Sequence, residues 1–351
     1  MTDPSVQPVS PEDAPTIKLP AGFDVLASDE TLAADITDAL DDVEQRLLDA
    51  LTAGDDLTDP SARYLADAGG KRVRPLLTVL TAELFGGLNT DVRQAAALIE
   101  MIHLATLYHD DVMDSAPLRR GTPSAHEVWG NSVAILTGDL ILARASLLMA
   151  ELSQEGSRIQ SRTFERLVLG QLHETLGPQG DQDAYDHYLS VIVDKTGSLV
   201  AAAARLGAHF GGADDAQAQL LEEYGEAVGI AFQLADDIID LTADGEASGK
   251  TPGTDLREGV PTLPVLLLRE AAAQGDAEAV RALSLVDADL SSDAALAEAV
   301  AAVVAHPVTE QAWEVARSWS ARAKAAISGL PDSIVKQALD SFADAVVDRE
   351  G

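Results

Sequence analysis

The sequence predicts an all-α protein, folded as a single large helical bundle. Three observations lead there. From about residue 31 onward Ala and Leu dominate, while β-branched residues rarely cluster. Apolar positions recur at three- and four-residue spacing, the period of a helix face. No pair of alternating apolar and polar runs flanks a hairpin turn. The segment 31–53 closes at TAGDD. The next, 74–86, opens on Pro75, which suits a first helical turn, and closes at GGLNTD. The stretch 92–114 carries Val92, Ala95, Ala96, Ile99, Ile102, Leu104 and Ala105 before running into acids. SAPLRRGTPS separates it from 132–153. The segments 158–177, 183–209 and 215–242 stop at LGPQGD, GGADD and LTADGEASGKTPGTD, and 262–273, 308–328 and 332–348 complete the pattern. No fixed-period repeat and no linker divides the chain, so one all-α domain is expected over 29–351. Residues 1–28, with five prolines and no apolar run, read as a mobile tail rather than a signal peptide.

Composition narrows the function. The chain has 351 residues, 24 Lys+Arg against 58 Asp+Glu, a net charge of −34 and no cysteine. Disulfides, a thiolate nucleophile and zinc–thiolate sites are excluded. The acidity argues against a nucleic-acid partner and against docking on an anionic membrane. No stretch reaches the roughly 18 consecutive apolar residues of a membrane span, so a cytoplasmic chain without a transmembrane segment is expected. A phosphorylated ligand would have to be held by a few placed cations together with metal ions.

Two segments carry the pattern DDxxD: Asp110, Asp111 and Asp114, and, 126 residues on, Asp236, Asp237 and Asp240. Each closes an apolar helical stretch. On a helix, i and i+4 share a face, so Asp110 meets Asp114 and Asp236 meets Asp240. Like charges at the negative end of a helix dipole repel, and a cation relieves both problems. Hard carboxylate oxygens suit Mg²⁺. In so acidic a chain one copy reads as readily as a solvated helix end; two copies in apolar settings do not.

The cations point the same way. Of six lysines, Lys71, Lys195 and Lys250 stand in GGKRVRP, DKTGS and SGKTPGTD. Gly69-Gly70-Lys71-Arg72-Val73-Arg74-Pro75 puts pliable backbone and three cations before a helix start, where free amides favour an anion. Arg119-Arg120-Gly121 adds a guanidinium pair suited to bidentate phosphate contacts. The scattered histidines His126, His173, His187, His209 and His306 lack ligand spacing and read as packing or surface residues. Asp139 and Gln171 interrupt apolar helix and fit either a cavity wall or a backbone-satisfied polar group.

In order along the chain, GGKRVRP, HDDVMDSAPLRRG, KTG, FQLADDIID and GKTPGTDLREGVPTLP closely resemble the trans-isoprenyl diphosphate synthases, or polyprenyl synthetases. The resemblance covers roughly 40–348. It implies helices around a deep central cavity, a homodimer, and two aspartate motifs facing each other across the cavity mouth. It assigns Asp110, Asp111, Asp114, Asp236, Asp237 and Asp240 to metal, with Asp110, Asp114 and Asp236 the direct ligands. Gly70, Lys71, Arg74, His103 and Arg120 resemble the isopentenyl diphosphate site. Arg119, Lys195 and Lys250 resemble the cations that hold the allylic diphosphate, and Thr196 and Gln233 the polar groups near the developing carbocation. Val260 stands where many members have lysine, at a peripheral position. The implied partners are isopentenyl diphosphate and an allylic diphosphate, farnesyl or geranylgeranyl, with three Mg²⁺ ions. A terpene cyclase would not need the GGKRVRP site, and a non-catalytic partner subunit would have lost acids or cations from these motifs.

Product length is read from the helix leading into the first motif. Ala105 and Thr106, five and four residues before Asp110, are small where bulky aromatics typify short-chain members. One helical turn spans about 5.4 Å, close to one extended isoprene unit. The expectation is a long all-trans chain of about thirty carbons or more, as in respiratory quinone side chains. The competing expectation is a geranylgeranyl product.

Overall fold

Several helices begin where the sequence supplies a side chain that can accept free backbone amides. Asp29 caps α1 (Glu30–Leu51) through the Thr31 and Leu32 amides, and Asn89 caps α4 (Thr90–Met113) through those of Asp91 and Val92. Between them lie α2 (Asp59–Asp67) and α3 (Val73–Glu83). The computed structural model describes residues 20–242 and 252–348. Short α5 (Ala125–Trp129) leads into α6 (Asn131–Leu152) and α7 (Gln154–Leu176). One nearly continuous rod follows: α8 (Ala184–Ile192), a π-type turn at Val193–Gly197, and α9 (Ser198–Gly211). After α10 (Asp215–Thr242) come α11 (Thr254–Glu258), α12 (Leu263–Ala273), α13 (Ala277–Val286), α14 (Asp293–Ala305), α15 (Val308–Ile327) and α16 (Ile334–Ala345).

The all-α expectation holds, with two corrections. Among the described residues one hairpin exists, pairing Leu118 with Pro123 and Arg119 with Thr122. Its tip, Arg120-Gly121, has φ of 54° and 78°, the two positive values a tight hairpin turn requires. Two-residue strands leave no alternation to read. Residues 23–28, expected in the tail, form a helical turn at Asp24–Ser28 whose Phe23 and Leu26 are fully buried, Phe23 stacking on Phe342 at 4.6 Å. Among the described residues α6 alone is long and apolar enough to cross a membrane by length and composition, with a mean hydropathy of 1.7, but Asp139 and Arg144 lie within it, so it offers no run of 18 consecutive apolar residues.

The larger core is organised by α4, packed on α1, α3, α6 and α9, and by α10, packed on α9 and α15. Small residues set the spacing. Ala95, Ala96 and Ala97 on α4 and Ala202, Ala203 and Ala204 on α9 are buried. A Cβ on Gly211 would lie 2.6 Å from the Ala82 Cα, so α9 runs directly against α3. A smaller core holds Leu241, Leu256, Val265, Leu268, Leu296, Ala299 and Val308. Leu267 packs against both cores.

Candidate active site

The packing of α4, α6, α7, α9 and α10 leaves a cavity of about 590 Å³. Seven residues singled out from the sequence line it together: Arg74, His103, Thr106, Asp110, Lys195, Thr196 and Gln233. Asp139 and Gln171, whose role the sequence left open, join them. Apolar wall is supplied by Leu107, Phe164, Leu167, Val168, Leu199 and Phe232.

At one end positive charge outweighs negative. Arg74 is half-buried, burial lowers its pKa against the opposing pull of Glu100, and its buried Nε has no hydrogen-bond partner. His103 beside it is held well below the usual histidine range by burial and by Arg74, Arg120, Arg72 and Arg119. An orphaned buried guanidinium N–H costs free energy unless something accepts it. In a chain of net charge −34, a cluster of cations left short of acids is a place built for a guest anion.

The other cations are held around that cluster. Arg120, at the hairpin tip, donates to the Leu65 and Gly69 carbonyls. Gly70 has a φ of 156°, which side chains rarely adopt, and a Cβ there would come within 2.9 Å of the Arg120 guanidinium. Arg119 donates from Nε to Asp111 at 2.6 Å. Lys71 is exposed and is not in the lining. Arg72 points elsewhere, into a buried brace with Glu44 at 2.7 Å and Glu100 at 3.1 Å.

The acids divide in two. Asp110 lines the cavity, and its carboxyl is pushed up to about 6 by burial, with Asp114 adding to the shift and Lys195 opposing it. Asp114 is exposed at the end of α4. Asp111 is fully buried and absent from the lining; one oxygen takes Arg119 and the other lacks a partner. It therefore braces a cation, in line with the expectation that Asp110 and Asp114, rather than Asp111, are the direct ligands of the motif. Asp237 behaves alike. Tyr188 donates to it at 2.5 Å and Gln233 at 2.9 Å, and burial lifts its carboxyl to about 6. Asp236 and Asp240 are half-buried, three and seven residues beyond Gln233 and so on its face of α10. The Asp255 amide donates to Asp240 at 3.1 Å.

Three contributors escaped the sequence reading. Asp255 opens α11 under the second motif, and burial with Asp240 and Asp237 pushes its carboxyl up to about 7. Tyr188 and Glu174 act at a distance in sequence: Tyr188 holds Asp237, and Glu174 pairs with Lys195. Only the TPGTD spacing near the second motif hinted at Asp255; nothing marked the others. Ala105 is buried and outside the lining, so of the two residues tied to product length only Thr106 faces the cavity. Lys250 lies outside the described residues.

Comparison with known proteins gives the family and the fold. Residues 55–303 match the family described as polyprenyl synthetase. A nonaprenyl diphosphate synthase of Mycobacterium tuberculosis is 45% identical over 335 residues, 94% of this chain and 98% of the relative. A solved polyprenyl synthase from Caulobacter crescentus, complexed with calcium and isoprenyl diphosphate, has a TM-score of 0.82 at 33% identity, covering 95% of this chain and 99% of that one. A geranylgeranyl pyrophosphate synthase from Corynebacterium glutamicum, also with calcium and isoprenyl diphosphate, gives 0.82 at 40% identity, covering 91% and 97%. With the match running through both aspartate motifs and the likeness reaching nearly end to end, the chain belongs to the polyprenyl synthetase family.

Proposed function

We propose that this family member is a Mg²⁺-dependent trans-prenyltransferase that extends farnesyl or geranylgeranyl diphosphate with isopentenyl diphosphate to a long-chain all-trans product. The observation that carries this is the unpartnered Arg74 Nε in the same cavity as Asp110, Lys195 and an apolar wall. One anion site sits at the Arg74 and His103 end, with Arg120 and the exposed Lys71 assigned to it, for isopentenyl diphosphate. The second diphosphate is held by Lys195, Lys250 and Arg119 beside the acids.

Asp110, Asp114, Asp236 and Asp240 offer hard oxygens of the kind Mg²⁺ takes. Among the described residues no three Asp, Glu or His side chains form a metal cage alone, so diphosphate oxygens would complete the coordination of about three ions. When bound, Mg²⁺ neutralises the diphosphate and stabilises charge gathering on the leaving group. Lys195 must leave Glu174 to reach that group. The allylic C–O bond breaks with its electron pair departing on diphosphate. The isopentenyl π bond then forms the new C–C bond, and a proton is lost to restore an alkene; the released diphosphate accepts it. Thr196 donates to the Gln233 carbonyl at 3.1 Å while the Gln233 amide donates to Asp237, fixing that carbonyl dipole at the cavity wall.

A homodimer is part of the proposal, supported by exposed apolar residues on α6 and α7, among them Leu136, Leu147, Leu172 and Leu176. A cytoplasmic setting is part of it too, and cell fractionation checks that. The deciding test feeds labelled isopentenyl diphosphate, Mg²⁺ and separate C10, C15 and C20 allylic primers, then resolves the dephosphorylated products. Label in chains beyond about thirty carbons is the expected result. Label stopping at twenty carbons assigns a geranylgeranyl synthase instead, and no incorporation by folded protein assigns a partner subunit.

A further inference from the structure

Lys195 and Thr196 reach the cavity from the Val193–Gly197 turn, the one place among the described residues where a long helix widens by a residue. The Ser198 amide there reaches back five residues to the Val193 carbonyl. Closing such a turn into regular helix would shift the register by one residue and swing the side chains on one side by about 100° relative to the other. What keeps it open is supplied from outside. Arg166 on α7 donates from Nε to Asp194 at 2.8 Å and from Nη2 to the Val193 carbonyl at 3.2 Å. The same Nη2 lies 2.6 Å from Glu226 on α10. One guanidinium thus ties the turn to both flanking helices.

Two glycines complete the seat. One turn beyond Arg166, a Cβ on Gly170 would lie 2.6 Å from the Lys195 amide nitrogen and 3.0 Å from the Asp194 carbonyl carbon. On the opposite side, a Cβ on Gly229 would lie 3.0 Å from the Gly197 Cα. The turn is therefore clasped backbone to backbone between α7 and α10. Arg166 itself lies outside the cavity lining, a third exposed, and its pairing with Asp194 and Glu226 raises its pKa against the opposing effect of burial.

We propose that Arg166 is a positioning residue for the allylic diphosphate site: by clamping Asp194 and Glu226 it holds the π-type turn that aims Lys195 and Thr196 into the cavity. This rests on the reading of Lys195 and Thr196 as groups that serve that diphosphate. Arg166 touches no substrate in this account. Its effect reaches the reaction only through the direction of those two side chains.

The test is steady-state kinetics on Arg166→Gln and Arg166→Lys, with Lys195→Gln alongside and thermal unfolding of each. Arg166→Gln should raise the allylic KM or lower kcat by about tenfold to a hundredfold, the scale of an ångström-sized misplacement. The isopentenyl KM should stay within about twofold, because Arg74 and His103 are on other elements. Arg166→Lys, keeping the charge without the fork, should recover part of the loss. If Lys195→Gln changes allylic kinetics and Arg166→Gln does not, the clamp is wrong and the Lys195 reading stands. If neither does, the Lys195 reading fails and takes the clamp with it. Both KM values rising together with a lowered melting temperature would reduce Arg166 to a fold-stabilising residue. Should Arg166→Gln not fold, Gly170→Ala presses on the same turn and must show the same allylic-only split.

Discussion

Arg72 and Arg74 stand two residues apart in one motif and meet opposite fates. The Arg72 side chain is 4% exposed and Glu100 beside it 2%, with Glu44 completing the brace. Removing the cation strands the buried Glu100 carboxylate, so Arg72→Met should cost about 3–5 kcal/mol of stability, read from the urea midpoint. Arg74 has no such partner. Arg74→Met should leave the unliganded melting temperature unchanged or raised, while the isopentenyl KM rises about tenfold or more. The GGKRVRP pattern announces an anion site, yet which arginine serves it depends on Glu44 and Glu100, 28 residues away on either side of Arg72. Asp255 makes the pH prediction. Its folded pKa of about 7 exceeds the ordinary 3.8, so the folded chain holds this proton more tightly than the unfolded one. The stability it contributes is complete below about pH 4 and disappears as pH rises to about 7. Melting temperature without metal should therefore fall over that interval, and Asp255→Asn should flatten the slope.

Helices were legible from periodicity because each buries a stripe against neighbours, and Asp29, Asn89 and Asp183 mark starts that their own side chains cap. What periodicity could not resolve is the orientation of α4. From Val92 to Ala105 it is buried nearly all round, so no solvent face fixes its rotation. Adjacent residues point about 100° apart, and Asp110 enters the cavity while Asp111 turns to Arg119. The hairpin and the π-type turn were invisible for a related reason: partners on other elements impose them. Close helix contact gives a further check. Gly211→Ala forces a methyl against Ala82 and should cost about 1–3 kcal/mol in urea unfolding. Neither KM should change, since α9 meets α3 there well away from the cavity lining.

Across the whole molecule the exposed apolar residues gather on α6 and α7, where Leu136 and Leu176 are each 65% exposed. Scattered apolar surface is ordinary, but a clustered face marks an interface. If the proposed homodimer uses this face, the parent should elute as a dimer by light scattering and the double variant Leu136→Glu, Leu176→Glu as a monomer. The two cores meet along shared helices. On α10, Ile238 belongs to the larger core and Leu241 to the smaller, with Asp240 between them. The main-chain carbonyl of Asp240 accepts the Gly253 amide at 2.7 Å, and Gly253 abuts Val300 of α14. The second carboxylate motif thus stands on a seam. Sequence drift among the alanines and valines of the smaller core reaches those carboxylates through the tilt of a single helix, without altering one cavity residue. Selection thereby has a means of retuning the proposed metal site that is inherited separately from the groove proposed to measure the product.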